Sequence, residues 1–400
     1  NRTFLEKLLD GAEVEWKPLW SITTWDKRFN AVEKEKQPKV IKYHYYLASE
    51  LKPLIVDGGN VKLLTTNESD IWTTEELVQN NISEGEIIAI PWGGNPIVQY
   101  YKGKFVTADN RIATSNNTKI LDNKFLYYFL LSKLDVISSF YRGSGIKHPS
   151  MYHVLEMLIP IPSLSVQTEI VRILDALTAL TSELTSELTL RRKQYEYYRE
   201  KLLSFDSLER LNEGGGKKKL IDVAIYTKVR ISADKLNKEN YVGVENLLQN
   251  KLGKTSSNYV PTEGSFIEYL PNDILIGNIR PYLRKIWLAD KTGGTNGDVL
   301  VIRLTDKNIL PRYLYHILAN EHFFEYNVKY SKGAKMPRGD KAAILQYEFD
   351  VPPLEEQHRI VSILDKFETL TNSITEGLPL AIEQSQKRYE YYRELLLNFE

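Results

Sequence analysis

Two short stretches of this chain set cations among glycines. They are Tyr141-Arg142-Gly143-Ser144-Gly145-Ile146-Lys147-His148-Pro149 and Tyr330-Ser331-Lys332-Gly333-Ala334-Lys335-Met336-Pro337-Arg338. Glycine lets backbone N–H groups approach a phosphate, lysine supplies a point charge, and arginine can also fork onto a guanine edge. The candidate DNA-binding residues are therefore Arg142, Gly143, Gly145 and Lys147, and Lys332, Gly333, Lys335 and Arg338. Arg280, Arg284 and Lys285 join them, flanking Pro281 and Tyr282 on a predicted loop after a strand. Lys102, Lys104 and Arg111 hold a similar place in the first half.

Residues for catalysis do not gather in the same way. No glycine-rich nucleotide loop is present, and no G-x-G-x-x-G follows a strand. The six histidines, His44, His148, His153, His316, His322 and His358, are scattered without metal-ligand spacing. His316 and His322 read as packing or surface residues. Asn95-Pro96-Ile97-Val98 lacks the second proline and the aromatic of the Asn-Pro-Pro-aromatic motif of adenine methyltransferases, and reads as a turn. With 0 cysteines, disulfides and thiolate metal sites are excluded, which fits a reducing cytoplasm. No apolar run approaches membrane-spanning length. The expectation is a non-catalytic binding chain with no metal site and no cofactor of its own.

The elements that must position these residues are set by a repeat. Glu169-Ile170-Val171-Arg172-Ile173-Leu174-Asp175 recurs as Arg359-Ile360-Val361-Ser362-Ile363-Leu364-Asp365. Each copy follows a proline-marked lead-in, Ile159-Pro160-Ile161-Pro162 or Val351-Pro352-Pro353-Leu354. Each ends in one signature, Gln194-Tyr195-Glu196-Tyr197-Tyr198-Arg199-Glu200 or Arg388-Tyr389-Glu390-Tyr391-Tyr392-Arg393-Glu394. Apolar residues step by three and four through Ile170, Ile173, Leu174, Leu177, Leu180, Leu184 and Leu188, then Tyr195, Tyr198, Leu202 and Phe205. That spacing predicts one helix over Gln167–Phe205, roughly 58 Å long. The second copy repeats the seam at Ile360, Ile363, Leu364, Phe367, Leu370, Ile374 and Leu378, resuming at Tyr389, Tyr392, Leu396 and Phe399. It carries four extra residues, and Gly377 and Pro379 should kink or interrupt it. A helix cannot bury such a seam alone, so the two copies should pair as a coiled coil.

The reading is an α+β chain: two similar mixed domains and two long helices, related by a pseudo-two-fold internal repeat. The first domain occupies 1–158 and the central helical region 159–206. The second domain occupies 207–349 and the C-terminal helical region 350–400. Strands are expected at Glu86–Ile90 and Lys104–Thr107, a helix at Lys124–Phe140, and a flexible junction at Gly214–Lys219. Asp273–Gly277 should match the first strand, Thr295–Arg303 the next strand region, and Arg312–Leu318 the start of the helix. Phe4–Leu9 echoes the end of the central helix, so the C-terminal helix should close onto the N-terminal segment.

Charge is distributed unevenly over a chain of formal net charge zero. Asn1–Ser150 has 19 basic and 18 acidic residues, whereas Lys217–Lys341 has 21 and 13. The remainder, with both helices, has 12 basic and 21 acidic residues. A basic module on an acidic scaffold suits local DNA binding.

The repeated helices resemble those of the specificity subunit of type I restriction-modification enzymes. The resemblance rests on the Pro-x-Pro lead-in, Gln167–Asp175, Gln194–Arg199, Glu355–Val361 and Ile374–Pro379. Thr181-Ser182-Glu183-Leu184-Thr185-Ser186-Glu187-Leu188 resembles the subclass with tandem Thr-x-Glu-Leu units. It implies that each globular domain is a target recognition domain reading one half of a split double-stranded DNA sequence. The helices would form an antiparallel coiled coil that fixes the gap and docks two modification subunits. S-adenosylmethionine would then sit on the modification subunits, and ATP and magnesium on restriction subunits. Two other readings stay open: a self-contained methyltransferase or nuclease, and a coiled-coil adaptor that binds only proteins.

Overall fold

Ile87-Ile88-Ala89-Ile90 is apolar without alternation because both faces of its strand are covered. Ile88 and Ile90 lie in one buried cluster with Phe125 and Phe129, and Ile87 and Ala89 lie in another with Phe105 and Ile112. Ile274-Leu275-Ile276 repeats the arrangement, with Ile274 and Ile276 on one side and Leu275 on the other. A strand covered on both faces reads as a continuous hydrophobic run. The computed structural model describes residues 4–204, 216–373 and 375–399. It divides into two units, Asn1–Ser182 with Gln384–Glu400, and Glu183–Glu383. Each unit takes part of both long helical regions.

The first unit contains helix α1 (Phe4–Leu9) and strands β1 (Glu15–Pro18), β2 (Thr23–Trp25), β3 (Val61–Leu64), β4 (Trp72–Thr73), β5 (Ser83–Pro91), β6 (Gln99–Thr107) and β7 (Asn110–Ser115). Strands β2-β7-β5-β6-β3-β4 form a six-stranded sheet, antiparallel except for β3 beside β6. The helix expected at Lys124–Phe140 is two helices, α2 (Asn123–Ser132) and α3 (Leu134–Ser139). Asp122 caps the first by accepting from the N–H groups of Lys124 and Phe125. A hairpin of β8 (Tyr141–Arg142) and β9 (His148–Pro149) follows, then α4 (Met151–Glu156) and β10 (Leu158–Ile161), which pairs with β1.

Helix α5 runs from Leu164 to Leu203, 40 residues, and Phe205 lies outside the described residues. Its seam is fully buried near its ends, at Ile170, Leu174 and Tyr195. Midway, Leu177, Leu184 and Leu188 are half-buried and Leu180 is exposed. A single partner helix covers only a narrow stripe, whereas the ends meet whole domains.

In the second unit, Gly216–Lys219 is not a flexible junction. It is strand β11, antiparallel to Glu348–Val351. The pairing partner lies some 130 residues along the chain, so a run of lysines after glycines gives no local sign of it. Gly214 and Gly215 lie outside the described residues. Strands β12 (Ala224–Tyr226), β13 (Arg230–Ser232), β14 (Tyr241–Val242), β15 (Ser265–Tyr269), β16 (Ile274–Gly277), β17 (Ile286–Leu288), β18 (Gly293–Thr295) and β19 (Val299–Leu304) make two four-stranded sheets, β12-β19-β16-β17 and β13-β15-β18-β14. Thr295–Arg303, expected as one strand region, is divided between β18 and β19 in different sheets. Helices α6 (Pro311–Leu318), α7 (Glu321–Lys329) and α8 (Lys341–Leu345) precede β20 (Glu348–Val351).

The duplication is visible in register. Ile88 faces Ala113, which faces Trp25; Ile274 faces Ile302, which faces Tyr226. Sheet β2-β7-β5 thus corresponds to β12-β19-β16, and β1-β10 to β11-β20.

The second long helical region is interrupted, as Gly377 implied. Helix α9 (Leu354–Asn372) stops, and α10 (Gly377–Leu397) restarts four residues on. Those four residues match the extra length of the second copy. Ile374 lies outside the described residues. Gly377 has φ +80°, and a Cβ there would stand 2.6 Å from the Thr369 carbonyl oxygen. Pairing is antiparallel in each unit taken alone. In the first, Thr181 and Ser385 share a hydroxyl hydrogen bond of 2.8 Å, while Ile170 and Leu174 share a core with Leu396 and Leu397. In the second, an Arg192 guanidinium N–H donates to the Thr371 carbonyl at 3.4 Å, and Tyr195 stacks on Phe367 at 6.0 Å. Leu5, in α1, lies in the cluster with Leu396 and Leu397. No helix among the described residues is long and apolar enough to cross a membrane.

Candidate nucleic-acid interface

Each glycine-rich stretch closes a small hairpin against the turn that follows the matching sheet strand. In the first unit Arg142 pairs with His148. Gly143 has φ +145°, and a Cβ there would lie 2.8 Å from the Ile146 carbonyl, so only glycine fits. Gly145 meets nothing, and its place is not dictated by space. The turn after β5 is Trp92-Gly93-Gly94. Its Gly94 N–H donates to the Lys147 carbonyl at 3.1 Å, and His148 Nδ1–H donates to the Trp92 carbonyl at 2.7 Å. Arg142 and Lys147 are exposed and have no side-chain partner among the described residues.

The second unit repeats the device. Lys332 and Arg338 exchange backbone hydrogen bonds of 2.8 Å, and Gly333 has φ +104°. The turn after β16 is Asn278-Ile279-Arg280, and the Arg280 N–H donates to the Pro337 carbonyl at 2.7 Å. Lys335 and Arg280 are exposed without a side-chain partner among the described residues. Lys332 reaches Asp340 at 2.5 Å, and its hydrogen bond holds that carboxyl below the ordinary range. Arg338 lies 3.4 Å from Asp298. Both pairs are largely solvated and cost little to open.

Other cations expected at the interface are occupied. Arg111 is a correction: it is 2% exposed, between Asp26 at 3.2 Å, Asp109 and the face of Trp92 at 5.1 Å. Burial pushes the Asp26 carboxyl up despite that guanidinium. A guanidinium so enclosed knits the sheet end together and cannot reach a phosphate. Lys285 is a second correction: its ammonium donates to the Val244 carbonyl at 2.7 Å, and burial lowers its pKa. Arg284 is bound to Glu321 at 2.8 Å, Lys104 to Glu75 at 2.8 Å, and Lys102 faces Glu86 at 3.5 Å. These last three remain solvated at one end. The arrangement therefore brings together Arg142 with Lys147 in one unit, and Arg280 with Lys332, Lys335 and Arg338 in the other.

Sequence reasoning missed Trp92, whose ring lies tilted against His148 at 5.2 Å and carries Lys27 at 5.3 Å. It also missed an ionic cluster. His316, Asp365 and Glu368 offer ligand atoms within 4.8 Å of one another, but the Arg312 guanidinium donates to both carboxylates at 2.8 Å. That cation already supplies the charge a metal would bring. The spacing Arg312–His316, one helical turn, was the available signal.

Each of the two units combines a mixed domain, an antiparallel helix pair and one basic hairpin. Residues 30–190 and 212–384 each match the type I restriction modification DNA specificity domain. The chain belongs to the family of type I restriction enzyme specificity subunits. It is 39% identical to a putative type I restriction enzyme specificity subunit of Haemophilus influenzae, over 100% of this chain and 99% of that one. It is 33% identical to a type I restriction enzyme specificity subunit of Escherichia coli, over 99% and 97% of the two chains. Among solved structures, the type I restriction-modification S subunit from M. genitalium superposes with a TM-score of 0.58 at 16% identity, covering 97% of this chain and 96% of that one.

Proposed function

We propose that each unit binds one half of a bipartite double-stranded DNA target through its glycine-rich hairpin and the adjoining strand-end turn. Arg142 and Lys147 serve the first half-site, and Lys332, Lys335, Arg338 and Arg280 the second. The observation that carries this reading is the repetition of the same hairpin-on-turn device in both units, with its exposed cations, on otherwise different loops. The helices set the gap, and the tandem units Thr181–Leu184 and Thr185–Leu188 act as its ruler.

The helices also dock two modification subunits. Tyr197 and Tyr391 support this: they hold the same place in the repeated signature and are 57% and 62% exposed. Exposed tyrosines are frequent anchors of protein interfaces. The chain is the non-catalytic reader of the complex. S-adenosylmethionine belongs to the modification subunits, and ATP with magnesium to the restriction subunits.

The experiment is selection from a random duplex library by the full chain assembled with its modification subunits. Two short selected blocks separated by an unselected gap of fixed length are expected. One contiguous block, or no selection, would contradict the reading.

A further inference from the structure

Arg280 occupies a backbone position built for glycine. Ile88 and Ile274 hold the same register in their sheets, so Pro91 corresponds to Gly277 and, three residues on, Gly94 to Arg280. The hydrogen bonds agree: Gly94 N–H donates to a carbonyl of the first hairpin, and Arg280 N–H to a carbonyl of the second. Gly94 has φ +98°, and Arg280 has φ 52° and ψ 65°, in the left-handed region. Outside Gly, Asn and Asp that conformation is uncommon, because the Cβ crowds the backbone. Space is open where a side chain on Gly94 would begin, so the strain at Arg280 is local to its backbone.

A strained arginine whose side chain makes no hydrogen bond or ion pair among the described residues points to an external partner. Arg284, Arg303, Arg312 and Arg338 each meet a carboxylate, whereas Arg280 has none among the described residues. Its backbone is fixed on both sides. The N–H is held by Pro337, and the carbonyl accepts from Leu283 N–H at 2.8 Å. Beside it Lys332, Lys335 and Arg338 already supply mobile charge for phosphates. A point charge for a phosphate needs no fixed backbone. A planar fork aimed at two acceptors does, because misalignment loses the second hydrogen bond.

We infer that Arg280 is a specificity-determining residue of the second unit, its guanidinium forking onto O6 and N7 of one guanine in the major groove. The inference rests on the DNA-reading function proposed above. Its test uses the full chain assembled with modification subunits, carrying Arg280→Gly or Arg280→Gln, and compares base selection with the unaltered complex.

In Arg280→Gly the preference for guanine at one position of one block should fall roughly 5- to 150-fold. All other positions, and the whole of the other block, should keep their preferences. In Arg280→Gln the same position should move toward adenine, which presents the pattern glutamine reads. Arg280→Gly should melt no lower than the unaltered chain, since glycine suits this φ, so the loss is not one of folding. A uniform loss across all sequences, with the salt slope reduced by about one, marks a phosphate contact and overturns the inference. Unchanged selection overturns it as well. An unaltered complex that selects no bipartite sequence would overturn the broader function with it.

Discussion

Gln167 and Gln357 make the same three hydrogen bonds in the two units. Gln167 Oε1 accepts from Asp122 N–H at 2.8 Å, and its Nε2 donates to the Ile120 and Pro162 carbonyls at 2.8 Å. Gln357 Oε1 accepts from Leu310 N–H at 2.9 Å, and its Nε2 donates to Asn308 at 2.9 Å and Pro352 at 2.8 Å. Both side chains are 0% exposed. Each ties the first turn of a long helix to the loop that starts the domain helix, beside the contacts that Asp175 and Asp365 make farther along those helices.

Truncating either glutamine should be costly. Gln167→Ala leaves one N–H and two carbonyls without partners; the Pro162 carbonyl is buried and costs about 1–3 kcal/mol as an orphan, while the half-buried Asp122 N–H and Ile120 carbonyl cost less. A loss of about 3 kcal/mol is expected in denaturant unfolding, with a similar figure for Gln357→Ala. A loss below about 1 kcal/mol would show that water replaces the network.

The two units should differ in their response to acid. Burial holds the His316 imidazole below its ordinary pKa, against the opposing hydrogen bond to Asp365. Burial opposes ionisation of Asp365, but hydrogen bonds from His316 and Arg312 prevail and hold its carboxyl below the ordinary range. His316 Nε2–H donates to Asp365 at 2.8 Å, while Nδ1 is buried with no partner. A second proton on that nitrogen is opposed first by burial and then by the charges of Arg312 and Arg199, with Asp365 and Glu368 favouring it. The unfolded chain therefore binds more protons than the folded one below pH about 6.5, and stability falls as pH drops from there toward the folded pKa. The slope is limited to about 1.4 kcal/mol per pH unit. In the first unit Tyr128 takes the place of His316, donating to Asp175 at 2.6 Å, and does not titrate in that range. Unfolding of His316→Gln, followed from pH 5 to 7.5, should lose this slope; an undiminished slope would refute the assignment.

Arg111→Ala should act on folding. Removing one member of a buried ion pair typically costs about 3–5 kcal/mol, and protonation of Asp26, already pushed up by burial, will soften that. Arg142→Ala with Lys147→Ala should leave the melting temperature within a few degrees and weaken DNA binding by the assembled complex. The opposite pattern would mean that the interface is misplaced.

Gly377→Ala should destabilise the break between the C-terminal helices, by about 1–3 kcal/mol, because its φ is positive and the Thr369 carbonyl stands where the methyl would go. Thermal melting reads this directly, and an unshifted midpoint would show that the break adapts.

The helices were legible because their seam is periodic and occurs twice, and Gly377 announced its own interruption. The strand Gly216–Lys219 was hidden because its partner is remote. Arg111 was misread because a count of charges cannot show that Asp26, far along the chain, covers it. Of the candidate cations, those in the hairpins are exposed, and their glycines marked the turns that carry them. The ones on strands and after β16 could not be sorted into free and paired without the fold. Gln167 was quoted within a motif, yet nothing local reveals that Ile120, Asp122 and Pro162 converge on it.

The central claim is that the helices hold two DNA readers at a set spacing. Removing Thr185–Leu188 tests it most directly. Four residues turn a helix by about 400°, so the seam returns within about 40° of register and packing survives. The helix shortens by roughly 6 Å, against about 3.4 Å per base step. Assembled with its partners and mapped for methylated sites, the deleted chain should recognise the same two half-sites with a gap shorter by one or two base pairs. An unchanged gap, or altered half-site bases with the gap intact, would contradict the account.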